Sequence, residues 1–332
     1  MKIVVDVFGG DNAPDALIEG CVRALSFSDD FSLILTGDES TIMNGLKEIG
    51  HFSDRIEIVH APDVIGCDEV PTVAIRQKKN SSLVKALNTL ASGEADAFVS
   101  AGSTGAVLAG ATLLVKRIRG IKRPALAPIL PTVKGPLLLI DCGANIDCKP
   151  DYLQQFAIMG SVYMEQVMGI KNPRVGLINN GAEAEKGNEL TKAAYGFLTE
   201  TPVNFTGNCE ARDILTGDFD VLVCDGFVGN VVLKYTEGVA SSLLSMLKAE
   251  LMSDPRSKIG AAISKPAFSR FKKRMDYTEY GGAPLLGING GIIKAHGSSN
   301  AKAISVAIRQ ACDYVRGNVT SMIKDSIGIA CE

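Results

Sequence analysis

The chain has 332 residues, 46% hydrophobic and 21% charged, so it can bury a sizeable core and is not a disordered segment. A formal net charge of −3 provides no global basic field, which argues against a general nucleic-acid binder. No apolar run reaches the length of a bilayer span, and Met1-Lys2-Ile3-Val4-Val5-Asp6 opens as a strand rather than a secretory signal, so a cytoplasmic protein is expected.

Short β-branched runs alternate with helical stretches along the chain. Strands are predicted at Ile3-Val4-Val5, Leu33-Ile34-Leu35, Ile56-Glu57-Ile58-Val59, Ala97-Phe98-Val99, Leu137-Leu138-Leu139-Ile140, Val175-Gly176-Leu177-Ile178 and Val221-Leu222-Val223-Cys224. Most are nearly continuous apolar runs, the mark of strands buried on both faces. Helices are predicted between them, for example from Asp15 to Leu25, Leu153 to Val167 and Ala301 to Cys312. The alternation predicts one α/β catalytic domain over residues 1–332, with a largely parallel sheet covered on both sides. Ligands bind such sheets beyond the carboxyl ends of the strands.

The loops at those ends carry glycine beside polar groups. They are Asp6-Val7-Phe8-Gly9-Gly10-Asp11-Asn12, Ser100-Ala101-Gly102-Ser103-Thr104-Gly105, Asp141-Cys142-Gly143-Ala144-Asn145, Asn179-Asn180-Gly181 leading to Lys186-Gly187-Asn188, and Asp225-Gly226-Phe227-Val228-Gly229-Asn230. One such loop is ordinary turn grammar, but five on one edge predict a binding site. The second and fifth also echo each other as strand, G-x-x-G turn and helix.

Several chemistries lack their signature. No G-x-G-x-x-G follows the first strand, no G-K-[ST] phosphate loop occurs, and there is no G-x-S-x-G elbow. The eight cysteines contain no C-x-x-C pair and the three histidines no zinc spacing. Asp6, Asp11, Asp141, Asp147 and Asp225 are of a type that binds magnesium, but capping and turn formation account for them, so no metal is expected. What remains suits a substrate that is itself the nucleophile. Inorganic phosphate needs positioning more than activation, and oriented donors with a cation would stabilise the oxyanion at an attacked carbonyl.

The densest cluster of such donors is Tyr280-Gly281-Gly282-Ala283-Pro284-Leu285-Leu286-Gly287 followed by His296-Gly297-Ser298-Ser299-Asn300-Ala301-Lys302. Its composition suggests an anion loop with little core to bury, and Ser298-Ser299-Asn300 would lie at a helix N-terminus that favours phosphate. An ordinary Ser/Asn cap is the alternative.

Residues 251–280 differ from the rest. From Pro255 to Met275 there are seven basic residues and no acid, with Phe268, Phe271 and Met275 at helical spacing and Ile259 and Ile263 before Pro266. A basic amphipathic segment of this kind lies on anionic lipid, meets an acidic partner, or packs as a solvated helix pair. Phe268, Phe271, Lys272 and Lys273 are the expected contacts.

Taken together, these strings resemble the bacterial PlsX family of acyl-acyl carrier protein:phosphate acyltransferases. The matching pieces run in order over nearly the whole chain: Gly9-Gly10-Asp11, Gly102-Ser103-Thr104-Gly105-Ala106, Arg123-Pro124-Ala125-Leu126-Ala127, Asp141-Cys142-Gly143-Ala144-Asn145, Lys186-Gly187-Asn188, Cys224-Asp225-Gly226-Phe227-Val228-Gly229-Asn230, Tyr280-Gly281-Gly282-Ala283-Pro284 and His296-Gly297-Ser298-Ser299-Asn300. Asn12 stands where the family usually shows histidine, so no histidine role belongs to that loop here.

The resemblance implies a three-layer, Rossmann-like α/β/α fold similar to phosphotransacetylases and isopropylmalate dehydrogenases, a homodimer, and no organic cofactor. It implies transfer of a long-chain acyl group from acyl carrier protein to inorganic phosphate. The acyl phosphate would feed the membrane glycerol-3-phosphate acyltransferase of phospholipid synthesis, with the enzyme peripherally membrane-associated. Lys186, His296, Asp225 and Asn230 are the expected catalytic residues, with Gly102, Ser103, Thr104, Gly105, Asn145, Asn188, Ser298, Ser299 and Asn300 contacting phosphate or thioester. A short-chain acyl-CoA phosphotransacylase is the alternative, and a non-catalytic carrier or membrane scaffold the third reading.

Overall fold

A computed structural model describes residues 1–51, 53–275 and 280–330, without the side chains of 272–275, 329 and 330. The first half begins β1 (Lys2–Asp6), α1 (Asp15–Ala24), β2 (Ser32–Gly37), α2 (Glu39–Ile49), β3 (Ile56–His60), α3 (Pro71–Gln77), α4 (Ser82–Ala91), β4 (Ala97–Ser100) and α5 (Thr104–Gly110). It continues with β5 (Ala125–Leu126), β6 (Ile129–Pro131), β7 (Pro136–Ile140), α6 (Pro150–Gln166), β8 (Arg174–Asn179), α7 (Glu189–Thr199), β9 (Asn204–Glu210) and β10 (Val221–Val223). The last part is α8 (Gly226–Leu251), α9 (Pro255–Met275), β11 (Ala283–Leu286), β12 (Gly291–Lys294), α10 (Ala301–Arg316) and α11 (Val319–Ala330).

All seven predicted strands form, as β1, β2, β3, β4, β7, β8 and β10. They divide between two mixed sheets, ordered β3-β2-β1-β4-β12-β11-β5 and β6-β7-β10-β8-β9. Both sheets are parallel except where β11, β5 and β6 pair antiparallel. The five glycine-bearing loops therefore do not share one edge: those after β1 and β4 belong to the first sheet, those after β7, β8 and β10 to the second.

Helices cover the sheets with their apolar stripes. On α10, Ile304, Ala307, Ile308, Ala311 and Cys312 recur at helical spacing and pack with Ile3, Val5, Leu33 and Val99. On α6, Leu153, Phe156, Ala157, Met159 and Tyr163 pack with Leu138, Ile140, Val175 and Val221, and the same cluster takes in Leu286 and Tyr314, so buried packing runs continuously from one sheet to the other.

One expectation is overturned here. Residues 280–287 are not a loop without a core: Ala283–Leu286 is strand β11, and Leu285 and Leu286 are buried. Gly281 and Gly282 lead into the strand and line the cavity described below, and Gly287 follows it. Gly281 has φ +88°, and its missing Cβ leaves room for Gln310 and Ala307 of α10.

Helix α9 covers the basic segment, with Pro266 inside it. Phe271 is 49% exposed and Phe268 half-buried, while the side chains of Lys272 and Lys273 lie outside the described residues. No helix among the described residues is long and apolar enough to cross a membrane.

Candidate active site

The carboxyl ends of β4 and β12 in the first sheet face the start of α8 and the loop after β7 in the second. Between them lies a cavity of about 690 Å³. Its polar end is built by Thr104, Gly143, Asn230, Lys294, His296 and Gly297. Its other walls are mostly apolar, from Leu108, Leu126, Ile129, Leu130, Leu215, Leu233 and Leu244, with Lys234, Thr236, Glu237, Ser241 and Tyr280 among them.

Lys294 is the charged group at the polar end that carried no motif. It ends the apolar run Gly291-Ile292-Ile293-Lys294 of β12 and is 7% exposed. Its ammonium donates to the carbonyl oxygens of Ala101, at 3.4 Å, and Ala295. Burial pushes its pKa down to about 8, against the favourable charges of Cys67, Asp6 and Asp11. Sequence reading passed over it because a lysine closing an apolar strand looks like solvent-facing punctuation. The one usable sign was its position two residues before His296.

His296 lies two residues further on. Its Nδ1 accepts from the Ser298 amide at 3.2 Å and lies 2.8 Å from the Ser298 hydroxyl. A nitrogen that accepts from an amide carries no hydrogen, so the neutral ring has its proton on Nε2. His296 and Thr104 are exposed, whereas Lys294 sits beneath them in the wall.

The loop after β1 braces this end without lining it. A Cβ on Gly9 would stand 2.6 Å from the Gly102 amide nitrogen, so only glycine lets the two loops meet. The Asp11 amide donates to the Gly297 carbonyl at 2.8 Å, and the Asn12 amide group donates to the carbonyls of Ser298 and Ser299 at 3.1 and 3.2 Å. Asn12 thus holds the 297–299 turn. Asp6, buried at the end of β1, accepts from the Ser100 hydroxyl at 2.7 Å, and burial raises its pKa.

Asp141 organises the opposite wall. It is buried and accepts from the amides of Leu126 (2.8 Å), Ala144 (3.3 Å) and Asn145 (2.7 Å) and from the Asn145 side chain (2.9 Å). Burial outweighs these donors and lifts its pKa to about 6. Asn145 also donates to the Pro124 carbonyl at 2.7 Å, so its side chain ties the strand to the loop rather than opening into the cavity. Gly226 allows α8 to start against this loop, since a Cβ there would stand 2.6 Å from the Asn145 carbonyl oxygen.

The predicted site residues divide accordingly. Thr104, Gly105, Asn230 and His296 line the cavity. Ser103, Asn188, Asp225 and Asn300 accept helix N-terminal amides, from Ala106, Thr191, Val228 and Ala303 respectively. Gly102 packs under Gly9, Ser298 holds His296, and Ser299 is buried in the turn. Lys186 is exposed on the loop after β8, at the same carboxyl edge as Asn230 but outside the cavity wall. No His/Cys/Asp/Glu cluster able to hold a metal occurs among the described residues.

The model of a family described as fatty acid synthesis protein matches residues 1–322. A phosphate acyltransferase of Clostridium acetobutylicum is 55% identical over 323 residues, covering 97% of this chain and 98% of the relative. One of Clostridium botulinum (strain Loch Maree / Type A3) is 53% identical over 328 residues, covering 99% and 98%. Among solved structures, a phosphotransacetylase from Streptococcus pyogenes superposes with a TM-score of 0.60 at 17% identity over 95% of this chain and 94% of that one. A branched-chain phosphotransacylase from Enterococcus faecalis V583 gives 0.57 at 13% identity over 95% and 99%. At these identities the structural likeness concerns the fold alone.

Proposed function

Because the chain belongs to the PlsX family of phosphate acyltransferases, we propose that this acyltransferase moves a long-chain acyl group from acyl carrier protein to inorganic phosphate, giving acyl phosphate for phospholipid synthesis. The observation that carries the reading is the division of one cavity into a polar end, with Lys294, His296, Thr104 and Asn230, and a long apolar wall. Phosphate suits the first and an acyl chain the second.

In this reading a phosphate oxygen attacks the thioester carbonyl carbon. The C–O bond forms as the carbonyl electron pair moves onto oxygen. The pair returns as the C–S bond breaks, and the carrier thiolate leaves and takes up a proton. No protein nucleophile is needed, so the protein's task is positioning and charge stabilisation. Lys294 offsets negative charge on phosphate or oxyanion, and its buried, low-dielectric place makes that charge count. His296, oriented by Ser298, donates from Nε2 to the developing oxyanion, and Thr104 and Asn230 hold the phosphate. Asp225 and Ser103 serve by capping the helices that carry Asn230 and Thr104, while Asn188 and Asn300 cap the helices that follow the Lys186 loop and the His296 turn. Lys186 supplies charge at the approach, where the carrier and phosphate arrive.

The reading includes a homodimer and peripheral contact with membrane. Exposed Val231, Tyr235, Val239, Leu243 and Leu247 form one stripe on α8, a face suited to a second copy, while Ile259, Ile263 and Phe271 of α9 accompany its basic residues toward anionic lipid. Delivery at a membrane suits a long-chain product handed to the glycerol-3-phosphate acyltransferase.

The test is phosphate-dependent thiol release from palmitoyl-acyl carrier protein beside palmitoyl-CoA and butyryl-CoA. The carrier substrate should turn over best. Preference for butyryl-CoA would move the protein to short-chain phosphotransacylation, and carrier binding without turnover to a scaffold role.

A further inference from the structure

The cavity is much longer than a phosphate and a thioester require, and its apolar part has a direction. Helix α8 begins at the carboxyl end of β10, and along its cavity face Leu233, Ala240 and Leu244 follow Asn230, with Lys234, Thr236, Glu237 and Ser241 beside them. Steps of three, seven and four place Asn230, Leu233, Ala240 and Leu244 on one face of the helix. The exposed stripe of Val231, Tyr235, Val239 and Leu243 occupies the opposite face.

From Asn230 to Leu244 the helix rises about 21 Å at 1.5 Å per residue, comparable with an extended long-chain acyl tail. The facing wall runs the same way. Edge strand β6 is antiparallel to β7, with Ile129 opposite Leu138 and Pro131 opposite Pro136, so Ile129 lies toward the carboxyl end of β7 and Pro131 away from it. Leu126, three residues before Ile129, shares a small recess with Thr104 and Lys294 at the polar end. At the far end the Val133 amide donates to the Leu215 carbonyl at 3.1 Å, bringing Leu215 beside the β6–β7 turn.

We infer that the groove between α8 and β6 is the acyl-chain site. The thioester carbon lies at Asn230, Lys294 and His296, the methylenes run past Leu233 and Ala240, and the methyl end reaches Leu215 and Leu244, which set chain length. This rests on the phosphate acyltransfer reading for the identity of the head group. The occupant follows from continuity, because the groove opens directly from the polar end and carries apolar side chains on both walls, Leu233, Ala240 and Leu244 on one and Ile129, Leu130 and Leu215 on the other. Ala240 is the narrowest side chain midway along α8's inner face, so it is where a larger residue blocks only the distal half.

The experiment compares wild type, Ala240→Phe and, from the other wall, Leu215→Trp, each checked for an unchanged melting transition. Binding of palmitoyl phosphonate and butyryl phosphonate is measured by calorimetry, and acyl transfer with the matching thioesters. Both variants should lower the preference for the long chain over the short roughly tenfold or more, in binding and in kcat/KM. An unchanged preference in the two variants, or a wild type that binds both phosphonates equally, overturns the groove. If the wild type binds palmitoyl phosphonate, the variants weaken it, and no thioester is turned over, the groove stands and the acyltransfer reading fails.

Discussion

The Lys294 ammonium reaches the carbonyl oxygen of Ala101, 3.4 Å away, and so ties the end of β12 to the loop that follows its neighbour β4. The segments that follow the two strands bring His296 and Thr104 to the same cavity end. A buried cation whose direct hydrogen bonds go to carbonyl oxygens, with the nearby carboxylates of Asp6 and Asp11 too weak to offset its burial, is costly for folding and useful for an anionic substrate.

Activity should therefore fall as pH rises through about 8, where Lys294 loses its proton. Stability should move the other way. An unfolded lysine keeps its proton to about 10.4, so between the two values the unfolded chain binds more protons and stability rises with pH. Lys294→Met should abolish most turnover while leaving the fold as stable or more so at neutral pH. Lys294→Arg, which does not titrate in this range, should remove the alkaline limb from whatever activity it retains. A pH–rate profile with parallel thermal melts checks all three.

His296→Ala should lower kcat by roughly two to three orders of magnitude, the usual effect of removing an oxyanion donor. Ser298→Ala should cost less, about tenfold, because the Ser298 amide still holds Nδ1 at 3.2 Å. Steady-state kinetics with saturating phosphate separates the two. Equal losses would show that the hydroxyl, not the ring, acts on substrate.

Gly9→Ala should destabilise the fold by about 1–3 kcal/mol through overpacking. The new methyl meets the Gly102 amide at 2.6 Å and the Asp6 carboxylate at 2.7 Å. Since Gly102 precedes the cavity residue Thr104, KM for phosphate should also rise. Denaturant unfolding and a phosphate titration report the two effects.

Asp141→Ala should cost about 3 kcal/mol or more, because it orphans buried donors of Leu126, Ala144 and Asn145. In the wild type the raised pKa of about 6 means the native state holds its proton when the unfolded chain has released it. This group's contribution to stability therefore falls as pH climbs from about 3.9 to about 6. Urea melts across that window should show the slope and lose it in Asp141→Ala.

Much of this fold is legible in the sequence for a plain reason. Runs such as Leu137–Ile140 and Val221–Val223 are buried on both faces, and a central strand of a covered sheet shows this as a continuous apolar run. The strands β5, β6, β11 and β12 are only two to four residues long and read as loop or as fragments of neighbouring apolar sequence. The split into two sheets follows from pairings distant in sequence, such as β12 with β4, which no local pattern encodes.

The site was legible where glycine and hydroxyl mark a loop end, as at Thr104, Asn230 and His296. Lys294 was hidden in an apolar run, and the groove wall was hidden because α8 is apolar on both its cavity face and its exposed face. Asp225, Asn188 and Asn300 stood out for the same chemistry that makes them helix caps, since a carboxylate or amide that accepts an amide hydrogen looks alike in both roles.

The most direct measurement of the central claim is incorporation of radiolabelled inorganic phosphate into palmitoyl phosphate from palmitoyl-acyl carrier protein, by wild type and by Lys294→Met. The account predicts labelled acyl phosphate in step with thiol release, and loss of both in the variant. Thiol release that yields unlabelled free palmitate, or full labelling by Lys294→Met, would contradict it.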